Sequence, residues 1–453
     1  MHLSKPFLRA AGAVLSVIAT ITATLLVAAP SQADTRVMPG SFTGYAFDTC
    51  WTPTQSQMDV WRERSPYSGI GIYIAGVNRY CQPQTLLTPE WVSTQSAKGW
   101  RLLPLTVGRQ APCSTRDRYR AQPKLRLISN DPSHNYRTAR RQGRAEASDT
   151  VATARYLGIA QRSTLWFDLE HFDVSNQVCR DASMAFLSGW SWKLHRLGYR
   201  SGIYSSASSG MRMLDEARLY QPNRYTLPDQ IWIAEWMHGV QPRRAHRSAG
   251  VDSAYVSEDG WMPHARVRQY LGGHHESYGG VEINIDSDFM DVGRGSFARP
   301  EGPHCGVRIN FPRYRLQRLG RSNDQVAAGQ CLLRRKHVYD GRAHGRFDRR
   351  TLRAVKRFQR RHELPVTGVL NRRTWTVLLA DGQRPLMKFG SNRYGVRRVQ
   401  RALNAAEWAE LEVSGVFDRP TVAAVRAYQR ARGLHRTGVV TEEVWQDLQR
   451  GRR

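Results

Sequence analysis

The last third of this 453-residue chain repeats itself at an offset of 70 residues, without a gap. Gly345, Phe347, Asp348, Thr351, Ala354, Val355, Gln359, Leu364, Thr367, Gly368, Val369, Trp375 and Leu378 return as Gly415, Phe417, Asp418, Thr421, Ala424, Val425, Gln429, Leu434, Thr437, Gly438, Val439, Trp445 and Leu448. Such spacing calls for two copies of one small folded unit, over 305–381 and 385–451, and not for a disordered tail. Within each copy Asp348 or Asp418 stands at a helix N-cap, and Leu352, Val355 and Phe358, or Val422, Val425 and Tyr428, follow at apolar helical spacing. Thr-Gly-Val then supplies a turn whose glycine can take positive φ. Asn371 or Thr441 can cap a final helix that carries Trp375 or Trp445 into the core. A unit of about 70 residues has only a marginal core of its own, so the two copies are expected to pack together.

The other end of the chain reads as an export signal over 1–33. Lys5 and Arg9 precede an apolar run, and Ser31-Gln32-Ala33 offers small residues for cleavage, with an uncleaved membrane anchor as the alternative. No later stretch is long and apolar enough to span a bilayer, so stable membrane insertion is not expected once the signal is removed. In an exported chain the six cysteines point to disulfides, because no Cys-x-x-Cys pair accompanies them. Cys305 with Cys331 is the favoured bridge in the first repeat. Cys50, Cys81, Cys113 and Cys179 allow three connectivities, and Cys50 with Cys81 and Cys113 with Cys179 is the choice if neighbouring strand-end loops pair.

The formal charge of +29 is concentrated in the repeats, where from Arg299 onward 34 Lys and Arg face 13 Asp and Glu. A field of that sign attracts polyanions. Export removes nucleic acid as a partner and leaves anionic wall polymers, or simply a solvated arginine-rich surface. A monomer is expected.

Between signal and repeats lies a region, 41–297, of the size of one eight-stranded α/β barrel. Strand patterns fall at 44–48, 70–74, 101–107, 164–170, 200–205, 230–234, 266–270 and 281–286, and helical spacing at 54–63, 89–98, 137–157, 181–197 and 206–218. The expected fold is therefore α/β, a TIM-like barrel of five β/α units plus three strands, followed by two small all-α three-helix modules. The segment 237–263 reads as irregular, and 272–280 as a hairpin loop.

Polar residues recur at the ends of these strands: Asp48, Asp168 with Glu170, Glu235, Gln269 with Tyr270, and Asp286. In a barrel such ends converge on one mouth. Asp168 and Glu170, two apart on a strand, point the same way. Crowded carboxyls cannot all ionise freely, so at least one should keep a proton near neutral pH beside ionised neighbours, the pairing that glycoside hydrolysis needs. Tyr204, Trp236, Gln269 and Tyr270 are candidate sugar contacts, although the aromatic residues among them could equally be core packing. Asp48 could instead cap the helix that follows, and Glu235 and Asp288 read as surface or loop ion pairs. His274-His275 has no third ligand at suitable spacing, so no metal or cofactor is expected.

These motifs carry two resemblances. The pattern G-x-F-D-x-x-T-x-x-A-V-x-x-(F/Y)-Q-R, then L-x-x-T-G-V, then W-x-x-L resembles the three-helix peptidoglycan-binding module of secreted wall hydrolases. Phe47-Asp48, Trp166-Phe167-Asp168-Leu169-Glu170, Ser201-Gly202-Ile203-Tyr204-Ser205, Ile231-Trp232-Ile233-Ala234, Gln269-Tyr270 and Asn284-Ile285-Asp286 resemble the family-25 glycoside hydrolases, or muramidases. More closely, the whole region is similar to the secreted actinobacterial glycoside-hydrolase-like family called domain of unknown function 1906. The barrel cysteines, the basic loop 109–126 and Glu235 depart from the muramidase pattern.

The resemblance implies that Glu170 is the general acid and that Asp168 is a nucleophile or positions a substrate N-acetyl group, with Asp48 and Asp286 completing the charged mouth. It implies peptidoglycan as the partner and a secreted, wall-associated location. A wall-glycan hydrolase, a non-catalytic wall-binding protein and a zinc amidase are the function classes to separate, and the missing ligand set argues against the last.

Overall fold

The computed structural model describes residues 37–453, so the expected export signal at 1–33 lies outside the described residues. Eight strands close into one barrel in sequence order. They are β1 (Phe42–Asp48), β2 (Gly69–Ala75), β3 (Arg101–Thr106), β4 (Thr164–Leu169), β5 (Arg200–Ser206), β6 (Gln230–Ala234), β7 (Ala265–Tyr278) and β8 (Val281–Val292). Strands β1 to β7 are parallel neighbours, whereas β8 runs antiparallel to both β7 and β1. Helices α1 (Gln55–Arg64), α2 (Pro89–Ala97), α3 (Asp117–Arg120), α4 (Pro123–Arg126), α5 (Ser133–Tyr156), α6 (Gln177–Arg196) and α7 (Arg212–Tyr220) lie between the first six strands.

Two expectations need correction. The segment 237–263 contains a short helix, α8 (Pro242–Ser248). The stretch 272–280 is not a hairpin loop: β7 and β8 pair through it to Tyr278↔Val281, and only Gly279 and Gly280, both at positive φ, make the turn. The polar residues that suggested a loop alternate along a long two-stranded ribbon, His275 and Ser277 outward and His274 with buried Glu276 on the covered face.

Alternation divides the core into two shells. Phe42, Ala46, Leu103, Leu105, Trp166, Trp232, Val267, Met290 and Val292 fill the barrel axis. Residues one position away, such as Phe47, Ile70, Phe167 and Ile203, meet the surrounding helices in a larger shell. Disulfide Cys50–Cys81 joins the loops that leave β1 and β2, Cys113–Cys179 ties the loop that leaves β3 to the first turn of α6, and Cys305–Cys331 anchors the connector to the first repeat.

The repeats are three helices each: α9 (Asp324–Arg335), α10 (Arg349–Arg361) and α11 (Arg372–Ala380), then α12 (Tyr394–Ala406), α13 (Arg419–Ala431) and α14 (Glu442–Gln449). Their repeated residues make repeated bonds. Asp348 and Asp418 accept from the backbone of Thr351 at 2.7 Å and Thr421 at 3.0 Å. The buried amides of Gln359 and Gln429 hold the Thr-Gly-Val turns, accepting from Gly368 and Gly438 and donating to Val369 and Val439 carbonyls. One continuous apolar core runs through both copies.

The second repeat docks on the barrel. Phe389 packs on Tyr45 and Phe289. Lys388, 2 % exposed, donates to the carbonyls of Ser65 and Tyr67, at the approach to β2. Gly390, at positive φ, approaches so closely that an added Cβ would lie 2.3 Å from the Thr43 carbonyl oxygen. None of these contacts involves Asp48 or Glu170. Among the described residues no helix is long and apolar enough to cross a membrane.

Candidate active site

Every second residue of a barrel strand faces the axis, and at one end the inward residues change from apolar to polar. Asp48 ends β1. Because β8 is antiparallel, its register sets Asp286 opposite Asp48 and Asp288 opposite Ala46, so both carboxyls lie on the inner face at this end. Asp168 is on β4 and Glu170 follows it. Space for the cluster comes partly from Gly71, where a Cβ would fall 2.5 Å from that of Asp48.

A hydrogen-bonded chain fixes these groups. Tyr73 donates to Asp48 Oδ1 at 2.7 Å, and Gln269 Nε2 donates to Asp48 Oδ2 at 2.9 Å. The same glutamine accepts from Tyr204 at 3.0 Å and from the indole of Trp236 at 2.8 Å. Trp232 donates to Asp288 at 2.9 Å. On the β4 side, buried Gln110 donates to the Asp168 carbonyl at 2.9 Å and accepts from the Glu170 amide at 2.8 Å, which clamps the backbone between the two acids. Arg116, on the loop held by Cys113–Cys179, meets Glu170 Oε2 at 2.8 Å.

Burial and mutual repulsion keep protons in this cluster. Asp168 is pushed well above the ordinary carboxyl range, first by burial and then by the charges of Glu170 and Asp48. Its Oδ1 finds no hydrogen-bond partner among the described residues. Asp288 is likewise pushed well up, first by burial and then by the charge of Asp48. Burial also raises Asp48, partly offset by the bonds from Tyr73 and Gln269. Asp286 is pushed up to about 8 by burial and by Asp48. Burial and crowding therefore favour protonated carboxyls at this mouth, next to the Arg116–Glu170 ion pair.

The structure brings Asp48, Asp168, Glu170, Asp286, Tyr204, Gln269 and Trp236 to one mouth, with the Trp236 ring 47 % exposed. It removes Tyr270. That side chain is fully buried on the outer face of β7, with its hydroxyl 2.6 Å from His246 Nδ1, because it directly follows inward-facing Gln269. It corrects Asp288 as well, which is a fully buried member of the cluster and not a surface ion pair. Glu235 has no ion-pair partner among the described residues either; it accepts from the Ala254 amide at 3.4 Å. Sequence reasoning missed Tyr73, Gln110 and Arg116; of the acids it missed only Asp288, whose signal was its position two residues beyond Asp286. His274 and His275 pair with Glu276 and Glu282, and among the described residues no group of three or more His, Cys, Asp or Glu is arranged to hold a metal ion.

A closed barrel with carboxyls gathered at one end defines the class, a glycoside-hydrolase-like protein. Residues 59–290 match the family of Rv2525c-like, glycoside hydrolase-like domains, and the chain belongs to that family. Residues 322–378 and 392–448 each match the peptidoglycan binding domain family, so the chain is a protein that targets cell-wall glycan. Among solved structures, an uncharacterized B. stearothermophilus protein is 18% identical, with 55% of this chain and 95% of that one covered and a TM-score of 0.36. The Mycobacterium tuberculosis Tat-secreted protein Rv2525c, in complex with L-tartrate, is 11% identical over 55% of this chain and 95% of its own, with a TM-score of 0.34. A family 25 glycosyl hydrolase from Bacillus anthracis is 12% identical over 56% and 91%, with a TM-score of 0.33. No curated protein matches the chain.

Proposed function

We infer that this protein is a secreted, wall-bound glycoside hydrolase that cleaves N-acetylhexosamine linkages of peptidoglycan or a related wall glycan, with acid assistance and retention of configuration. One observation carries the reading: carboxyls more than a hundred residues apart in sequence share one polar barrel mouth, where burial and mutual charge favour their protonated forms. Glu170, 28 % exposed at the rim, is the group that can reach a glycosidic oxygen; it acts as general acid once substrate displaces Arg116 and the Asp168 proton passes to it, which leaves Asp168 ionised. Asp168, two residues deeper on β4, acts at the anomeric side as nucleophile or as the anchor of a substrate N-acetyl group. Asp48 and Asp286 set the local charge and bind hydroxyls, while Tyr204, Gln269 and Trp236 line the sugar path. The repeats hold the enzyme on the wall, and export to that compartment is part of the same reading.

A second reading, a non-catalytic glycan-binding protein, is favoured by one contact, the Arg116–Glu170 ion pair, which occupies the acid in the free protein. Release of reducing sugar from purified sacculi separates the two. The hydrolase reading requires release by the wild type and its loss, by about a hundredfold or more, in Glu170→Gln with wall binding retained. Equal release by both proteins, or none by the wild type, moves the conclusion to binding alone.

A further inference from the structure

A second cleft lies away from the acidic mouth. It has a volume of about 630 Å³ and opens at the other end of the barrel, where Ser41 and Arg294 meet the connector and the first turn of α12. Strand β1 alone separates the two ends by roughly 20 Å. Five arginines line the cleft: Arg294, Arg299, Arg335, Arg393 and Arg397. Two are engaged within the chain, Arg335 by His304 and Tyr394, and Arg397 by the carbonyls of Arg299 and Ser414. The side chains of Arg294, Arg299 and Arg393 have no hydrogen bond or ion pair among the described residues. The one carboxylate of the cleft, Glu301, is already paired with Arg401 and with His304. Among the described residues, what remains is positive charge without a partner around an open space.

Comparison of the two repeats gives an independent sign of the same purpose. In the first, Asn323 caps α9 by accepting from the Val326 amide at 3.1 Å, and Asp324 puts a negative charge in the opening turn. At the same offset the second repeat has Arg393 and Tyr394, and α12 has no side-chain cap. A helix start that would satisfy itself is thus left to attract an external anion, with a guanidinium where the cap would be. Phe297 and Tyr394, each more than half exposed, set flat aromatic faces beside it.

We propose that this cleft is a second, non-catalytic site for an anionic wall glycan, binding a phosphate or carboxylate of the polymer among Arg294, Arg299 and Arg393 and stacking the adjoining sugar on Phe297 or Tyr394. Arginine forks recognise either oxyanion in two-point fashion, and aromatic faces beside them suit the sugar that carries it. The inference rests on wall targeting and is independent of catalysis, because cleft and mouth lie at opposite ends of the barrel.

Titration calorimetry on the full chain at about 0.15 M salt tests it, with soluble poly(glycerol phosphate), polygalacturonate and neutral dextran as ligands. The comparison is between Arg294→Gln/Arg393→Asn, which restores the residue type of the first repeat at the cap, and Arg349→Gln/Arg353→Gln on exposed α10, which removes equal charge elsewhere. The wild type and the α10 variant should bind at least one polyanion and not dextran, and the cleft variant should bind it about tenfold or more weakly. Preference for one polymer identifies the oxyanion. Failure of the wild type to bind either polyanion, or equal weakening in both variants, overturns the proposal. Binding measured in Glu170→Gln should be unchanged, so loss of the hydrolase reading leaves this result standing.

Discussion

Asp286 illustrates how one residue can tie the stability of the mouth to pH. Its folded pKa of about 8 lies above the ordinary 3.8, so the neutral form is the one the fold accommodates. The stability it contributes is complete below pH ~4 and drains away as pH rises towards 8, by at most ~1.4 kcal/mol per pH unit. Replacing the group by a neutral amide removes that dependence. Asp286→Asn should therefore gain stability relative to the wild type as pH increases from 4 to 8, with a constant difference above, in denaturant titrations at each pH. A difference independent of pH would mean that Asp286 ionises freely. At this scale, much of the cluster was visible in the sequence as polar residues at apolar strand ends. The error at Tyr270 was avoidable: it is adjacent to Gln269, and neighbours on a strand cannot both face the axis. Arg116 and Gln110 were invisible because they reach the site from loops, whose path no periodicity reveals.

Among the elements, β8 decides the composition of the site. Read as a strand that ends at Asp286, it offers one carboxyl; as an antiparallel strand through Val292, it brings Asp288 to the inner face too. An alternation of acids with Ser and Phe looks like a solvent-exposed strand until closure of the barrel turns that face inward, and closure is a property of all the strands together. The loops above the strands are secured covalently. Cys113–Cys179 closes 66 residues and holds the segment that carries Arg116. Removing it with Cys113→Ser/Cys179→Ser should cost roughly 4 kcal/mol by the chain-entropy argument, read from unfolding midpoints. A change below about 1 kcal/mol would show that the loop is already fixed by its hydrogen bonds.

For the whole molecule, the repeat was legible because both copies keep the residues that cap, turn and fill the same positions. Their fusion into one core was expected only from size, and the structure supplies the reason in a shared apolar interior. Trp375 and Trp445 are both fully buried in it. Alanine at either should cost about 3–5 kcal/mol, and both variants should lower the same calorimetric transition. Two repeats that melted separately would contradict the shared core. Docking of the second repeat by Lys388, Phe389 and Gly390 was not readable, since Arg318, Leu319 and Gly320 stand at the same offset in the first repeat and nothing in the pattern tells which copy meets the barrel.

The central claim is that the gathered acids cut wall glycan. Mass spectrometry of soluble fragments from purified sacculi tests it most directly. New reducing N-acetylhexosamine ends should accumulate with the wild type and be absent with Glu170→Gln and with Asp168→Asn, all three proteins remaining folded and wall-bound. Identical fragments from the variants, or no new ends from the wild type, would contradict it.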